Sequence, residues 1–75
     1  MHLHYFTLKS EYIQLSQLLK HMNFVQSGGE AKMVILDGMV FVNGEVELRV
    51  RRKLRVGDKV EFEGREIEVQ SPEAE

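Results

Sequence analysis

Residues 38–48 read Gly38-Met39-Val40-Phe41-Val42-Asn43-Gly44-Glu45-Val46-Glu47-Leu48, and their period decides the fold class. Val40 and Val42 alternate with Met39 and Phe41, the spacing that puts every second side chain on one face of a strand. Asn43-Gly44 is the pair that accepts positive φ at both central positions of a type I′ turn. Val46 and Leu48 then resume the alternation, so the stretch predicts a β-hairpin.

Upstream of Gly38 the period is that of a helix. Leu15, Leu18, Leu19 and Met22 fall at i, i+3, i+4 and i+7, which predicts a first helix over 14–23. Gln14 is a weak cap for its start, whereas Asn23 suits a left-handed cap at its end. Ser27-Gly28-Gly29-Glu30 has capping-box spacing, with the serine hydroxyl accepting from the Glu30 amide and the glutamate reaching back to the serine amide. A second helix over 28–37 is expected from it, with Ala31, Val34 and Ile35 on its apolar face and Gly38 at positive φ after Asp37. Before the helices, Leu3 to Leu8 is β-prone and predicts a short first strand, ended by the polar Lys9-Ser10-Glu11 turn.

Downstream, Arg49-Val50-Arg51-Arg52-Lys53-Leu54-Arg55 puts five basic residues in seven positions. Val56-Gly57-Asp58-Lys59 turns the chain into Val60 and Phe62, which alternate with Glu61 and Glu63. Gly64-Arg65 turns it again into Ile67 and Val69, which alternate with Glu66 and Glu68. The predicted architecture is α+β: a first strand, two short adjacent helices, and a small twisted antiparallel sheet from Met39 to Val69. Residues 71–75 read as a frayed acidic tail.

A chain of 75 residues holds one domain and one modest core. With no cysteine there is neither a disulfide nor a thiolate metal site, so packing alone must stabilise it. No apolar run approaches the roughly 18 residues of a membrane span. Met1-His2-Leu3-His4 lacks the basic and then apolar order of a signal peptide, so the cytoplasm is the expected compartment. The net charge of −2 hides a strong polarity, because 61–75 carries six acids against the single Arg65. A basic run of this kind is equally a solvated strand or a nucleic-acid contact, and composition does not decide between them.

The ordered set of motifs does bear on it. Two short helices, Gly38-Met39-Val40-Phe41-Val42-Asn43-Gly44, a basic stretch and Leu54-Arg55-Val56-Gly57-Asp58 together resemble the S-four RNA-binding domain, or alpha-L motif, over about Gln14 to Phe62. Ser27-Gly28-Gly29-Glu30-Ala31-Lys32 further resembles the short stand-alone bacterial members of that family. The resemblance implies an RNA-binding surface formed by the helix pair and the adjoining strand, recognising structured and often ribosomal RNA. Carried over by position, its residues are Gly28, Gly29, Lys32, Asn43, Gly44, Arg49, Arg51, Arg52 and Lys53. The chain departs from the family where many members have Arg-Leu-Asp and this one has Gln14-Leu15-Ser16, and where many have arginine in place of Gly28 and Gly29. Arginine forks match phosphate oxygens, and a helix start with exposed amides suits an anion. Asn43-Gly44 equally answers the demand of the turn.

Other chemistry is not expected. His2-x-His4 would pair two imidazoles on one strand face, but a third ligand is missing and His21 has no evident route to them. Serines 10, 16, 27 and 71 have no context of an activated nucleophile, so neither catalysis, cofactor nor small-molecule substrate is predicted. Phe6, Phe24, Phe41 and Phe62 sit in apolar patterns and read as core, while Tyr5 and Tyr12 are open to either use. Two rival classes fit parts of the pattern. A protein-interaction module would dock the acidic sheet face on a basic partner such as a ribosomal protein. A ubiquitin-like sulfur carrier would end in Gly-Gly, and this sequence ends Pro72-Glu73-Ala74-Glu75.

Overall fold

The computed structural model describes residues 2–74. Two helices, α1 (Leu15–His21) and α2 (Gly28–Leu36), lie between a first strand β1 (His2–Thr7) and four further strands of one sheet: β3 (Val40–Val42), β4 (Glu45–Val46), β6 (Lys59–Phe62) and β7 (Arg65–Gln70). Two more short strands, β2 (Ile13–Gln14) and β5 (Lys53–Leu54), pair with each other as a separate ladder. From Val40 to Gln70 every pairing within the large sheet is antiparallel, as expected. The sheet as a whole is mixed, in the order β1-β7-β6-β3-β4, because β1 runs parallel to β7 from His2↔Arg65 to Thr7↔Gln70.

Alternation places the core. Val40, Val42, Val60, Phe62, Ile67 and Val69 form the inner face of the sheet, and Leu15, Leu18, Leu19, Ala31, Val34 and Ile35 close over it from the helices. The opposite face carries Glu61, Glu66 and Glu68. In β1 the polarity of the pattern is reversed: Leu3 and Tyr5 pair with Glu66 and Glu68 on the outer face, while His4 and Phe6 point inward with Ile67 and Val69.

Both helices end as the sequence predicts. Asn23 takes φ 61° and Gly38 φ 77°. At each end the two following amides reach back to carbonyls of the last turn, Asn23 to Lys20 and Phe24 to Leu19, and Gly38 to Ile35 and Met39 to Val34. The start of α2 is a capping box with one change. Ser27 Oγ accepts from the Glu30 amide at 3.1 Å, but Glu30 reaches the amide of Gln26 at 2.8 Å and not that of Ser27. Replacing Ser27 with alanine removes that acceptor and should lower stability by about 1 kcal/mol, read as a fall in the urea midpoint.

One hairpin turn is as the sequence predicts and a second is tighter. Asn43 and Gly44 have φ 52° and 86°, as a type I′ turn requires. Glu63, expected to close strand β6, instead turns with Gly64 at φ 53° and 77°, and Arg65 opens β7. The reason is the register Phe62↔Arg65, which leaves only two residues for the reversal. The segment after Gln70 closes in a 3-10 turn, Pro72–Ala74, where the sequence predicts fraying; Glu75 lies outside the described residues.

Candidate nucleic-acid interface

The site begins with an inversion in the hairpin. A two-residue turn pairs Val42 with Glu45 and Phe41 with Val46. Cross-strand partners share a face, so Val46 and Leu48 fall outside, 49% and 54% exposed, and Glu47 points inward at 6%. The expectation that Val46 and Leu48 extend the apolar face is therefore corrected by the register of the turn. A buried carboxylate needs partners, and the basic run supplies them. Glu47 Oε2 accepts from Arg49 Nε at 2.9 Å and from the Arg49 amide at 3.0 Å, while Oε1 accepts from Arg49 Nη2 at 3.0 Å and from Arg52 Nη1 at 2.6 Å. These bonds, led by those of Arg49, outweigh the opposing effect of burial and lower the Glu47 pKa from 4.5 to about 2. The same partnership pushes the Arg49 pKa up.

The carboxylate thus bends the basic run into a turn, closed by the Arg52 amide donating to the Arg49 carbonyl at 3.2 Å. That turn docks on α1. The Leu15 amide donates to the Arg52 carbonyl at 2.8 Å and the Ser16 amide to the Val50 carbonyl at 3.2 Å. Gln14 makes no side-chain cap, and none is needed, because the basic turn satisfies the first amides of the helix. The β2·β5 ladder, Ile13↔Leu54 and Gln14↔Lys53, fastens the other end of the run.

Arg49, Arg51, Arg52, Lys53 and Arg55 line one open concavity of about 590 Å³. Among the described residues Glu47 is the one carboxylate at ion-pair distance from any of these five cations, so that cations and ion-paired acid sum to +4 in a chain of net charge −2. Among the described residues Arg51, Lys53 and Arg55 have no carboxylate partner at ion-pair distance. Lys53 Nζ lies 4.8 Å and Arg55 Cζ 5.8 Å from the centre of the Tyr12 ring. Arg55 and Tyr12 thus join the residues that the family resemblance implies for this site. The sequence signal for Arg55 is its place in the basic run; Tyr12 reads in the sequence as open to core or base-stacking use, and only the ladder brings it opposite the basic run.

The other carried-over residues lie elsewhere. Gly28, Gly29 and Lys32 are exposed on the first turns of α2 and do not line the concavity. Neither glycine is demanded by the backbone or by packing: an added Cβ at Gly28 would meet nothing within 4 Å, and one at Gly29 only Ser27 Oγ at 3.9 Å. Asn43 is engaged by the fold at both ends of its amide. Its Nδ2 donates to Asp58 Oδ1 at 3.0 Å and its Oδ1 accepts from the Lys59 amide at 2.9 Å. Asp58 Oδ2 in turn accepts from the Arg55 amide at 2.8 Å. This is why Val-Asn-Gly and Val-Gly-Asp occur as a set: one side chain from each motif locks the hairpin to β6. His4 packs edge-on against Phe24 and His21 against Phe6, and among the described residues no three His, Asp or Glu side chains gather as a metal site would need. No helix among them is long and apolar enough to cross a membrane.

A helix pair with a basic turn bound to its entry, seated on a small mixed sheet, defines an alpha-L module. The chain belongs to the S4 domain family, whose model matches residues 6–70. It is 47% identical over 58 residues to a Bacillus subtilis protein named "Probable ribosome maturation protein RlbA", covering 77% of this chain and 82% of that one. It is 39% identical over 61 residues to Escherichia coli YbcJ, covering 81% and 87%. The solution structure of YbcJ, described as revealing an alpha-L motif involved in RNA-binding, superposes with a TM-score of 0.66 at 36% identity over 93% of this chain and 87% of that one.

Proposed function

We propose that this protein binds structured RNA, ribosomal RNA foremost, through the concavity of Arg49, Arg51, Arg52, Lys53 and Arg55, and acts in the cytoplasm by binding rather than by catalysis. The observation that carries the reading is the segregation of charge. Among the described residues five cations gather at the helix-pair entry with Glu47 as their one ion-paired carboxylate, while Glu61, Glu66 and Glu68 occupy the far face of the sheet. The RNA-binding motif described for YbcJ and the name of RlbA support the same partner class. Phosphate contacts from such a patch position the protein and carry little sequence information. Lys32 and the Gly28-Gly29 amides would extend the interface along α2 and not form its centre.

Titration against ribosomal RNA fragments at several salt concentrations tests it. Five cations less the one ion-paired carboxylate leave a net of four charges, which should give a log-log slope of affinity against salt of about −3. Salt-independent binding would reject the concavity. It would favour a second reading, in which the acidic sheet face, with Leu3 and Tyr5 exposed beside Glu66 and Glu68, docks on a basic protein.

A further inference from the structure

Beside the basic concavity lies a second depression, an open groove of about 700 Å³ whose walls include Phe6, Tyr12, Ile13, Gln17, His21 and Met22. Its size falls within the range of about 300–1,000 Å³ typical of small-ligand sites. The Phe6 and His21 rings meet edge to face at 5.0 Å, giving the groove a second aromatic wall. Thr7, Lys9, Ser10, Gln17 and His21 add polar groups to the aromatic and aliphatic lining. A flat ring with polar edges fits that chemistry better than a purely apolar side chain does.

Tyr12 joins the two depressions. Continuing the β2·β5 register by one residue places it opposite Arg55, and it lines the groove while Lys53 and Arg55 approach its ring from the basic side. An anion held by Lys53 or Arg55 is therefore adjacent to an aromatic side chain that is 37% exposed. Sequence-specific recognition of RNA relies on unpaired bases, stacked on aromatic rings and read at their edges, because the deep major groove of an RNA helix is closed to side chains.

Resting on the RNA-binding reading, we propose that this groove is a nucleobase site: the concavity holds the phosphates of a paired stem, and one unpaired base leaves the stack to lie against Tyr12, its edge facing Gln17 and His21. The site gives the module a preference for bulged or looped RNA that the cation cluster by itself would lack. Phosphate contacts supply the bulk of the affinity, and the base contact supplies the discrimination.

The test uses the full chain and two annealed RNA duplexes, identical but for a single bulged adenosine in one. The parent should prefer the bulged duplex by about tenfold. Tyr12→Leu should lose that preference, and Tyr12→Phe should retain it. A fluorescent adenosine analogue at the bulge should be quenched by the parent and by Tyr12→Phe, and not by Tyr12→Leu. Equal binding of both duplexes by the parent, or a Tyr12→Leu variant that keeps the preference or weakens both duplexes alike, overturns the base site. Neutralising Arg51 and Lys53 separates the two ideas. If binding to both duplexes persists unchanged the cation reading fails, whereas loss of the bulge preference alone on Tyr12→Leu bears only on the groove.

Discussion

Glu47→Gln should lower the stability of the protein by about 2 kcal/mol at neutral pH, the largest effect expected from a single substitution near the basic turn. A carboxylate shifted from 4.5 to about 2 carries at most about 3 kcal/mol. Its side chain is only 8% exposed, but that of its partner Arg49 is 72% exposed, so solvent screening reduces the figure. The sign follows from the direction of the shift. Because the folded-state pKa is depressed, the stabilisation is complete above about 4.5 and is lost as pH falls through the folded value of about 2. The gap between parent and variant should therefore be full at neutral pH, narrow progressively below about 4.5, and close near 2. Urea denaturation of both proteins across that range measures it. A gap that does not change with pH would mean that Glu47 acts through packing and not through its charge.

Neutralising Arg51 and Lys53 together, as Arg51→Gln and Lys53→Gln, should weaken binding to structured RNA by at least about tenfold at low salt and flatten the salt slope by about 1.5 to 2. These two are chosen because the structure separates them from the ion pairs. Arg49 and Arg52 hold Glu47, so substituting either would mix a loss of phosphate contact with a disturbed turn. Arg51 is exposed at the turn, and Lys53 contributes to the β2·β5 ladder through its backbone, which glutamine preserves. The double variant should keep the urea midpoint of the parent and lose affinity for all RNA sequences similarly. Retention of parental affinity and slope would remove the concavity from the interface.

Much of this organisation is written in local sequence. The capping serine at 27, the left-handed residues Asn23 and Gly38, and the turn at Asn43-Gly44 are satisfied by neighbours a few residues away, and so were legible from the chain alone. The inward turn of Glu47 was legible in principle too, since a two-residue turn after Val42 must pair Glu45 with it and return Glu47 to the same face. The apolar Val46 and Leu48 masked that logic by imitating an inward pattern.

What the sequence by itself determined is thus the helix pair, the hairpin, the family and the basic run, because each depends on short-range period or on a motif in fixed order. The tertiary structure decided what the basic run does. It set β1 parallel to β7 across nearly the whole length of the chain, and it capped α1 with the carbonyls of Val50 and Arg52 in place of a side chain. It assigned Arg49 and Arg52 to a buried carboxylate while leaving Arg51, Lys53 and Arg55 beside Tyr12. The parallel pairing, the capping of α1 and the meeting with Tyr12 depend on contacts between segments far apart in the chain, which leave no trace in the local period. Glu47 is close in sequence to Arg49 and Arg52 but gathers them only because the register of the hairpin buries it.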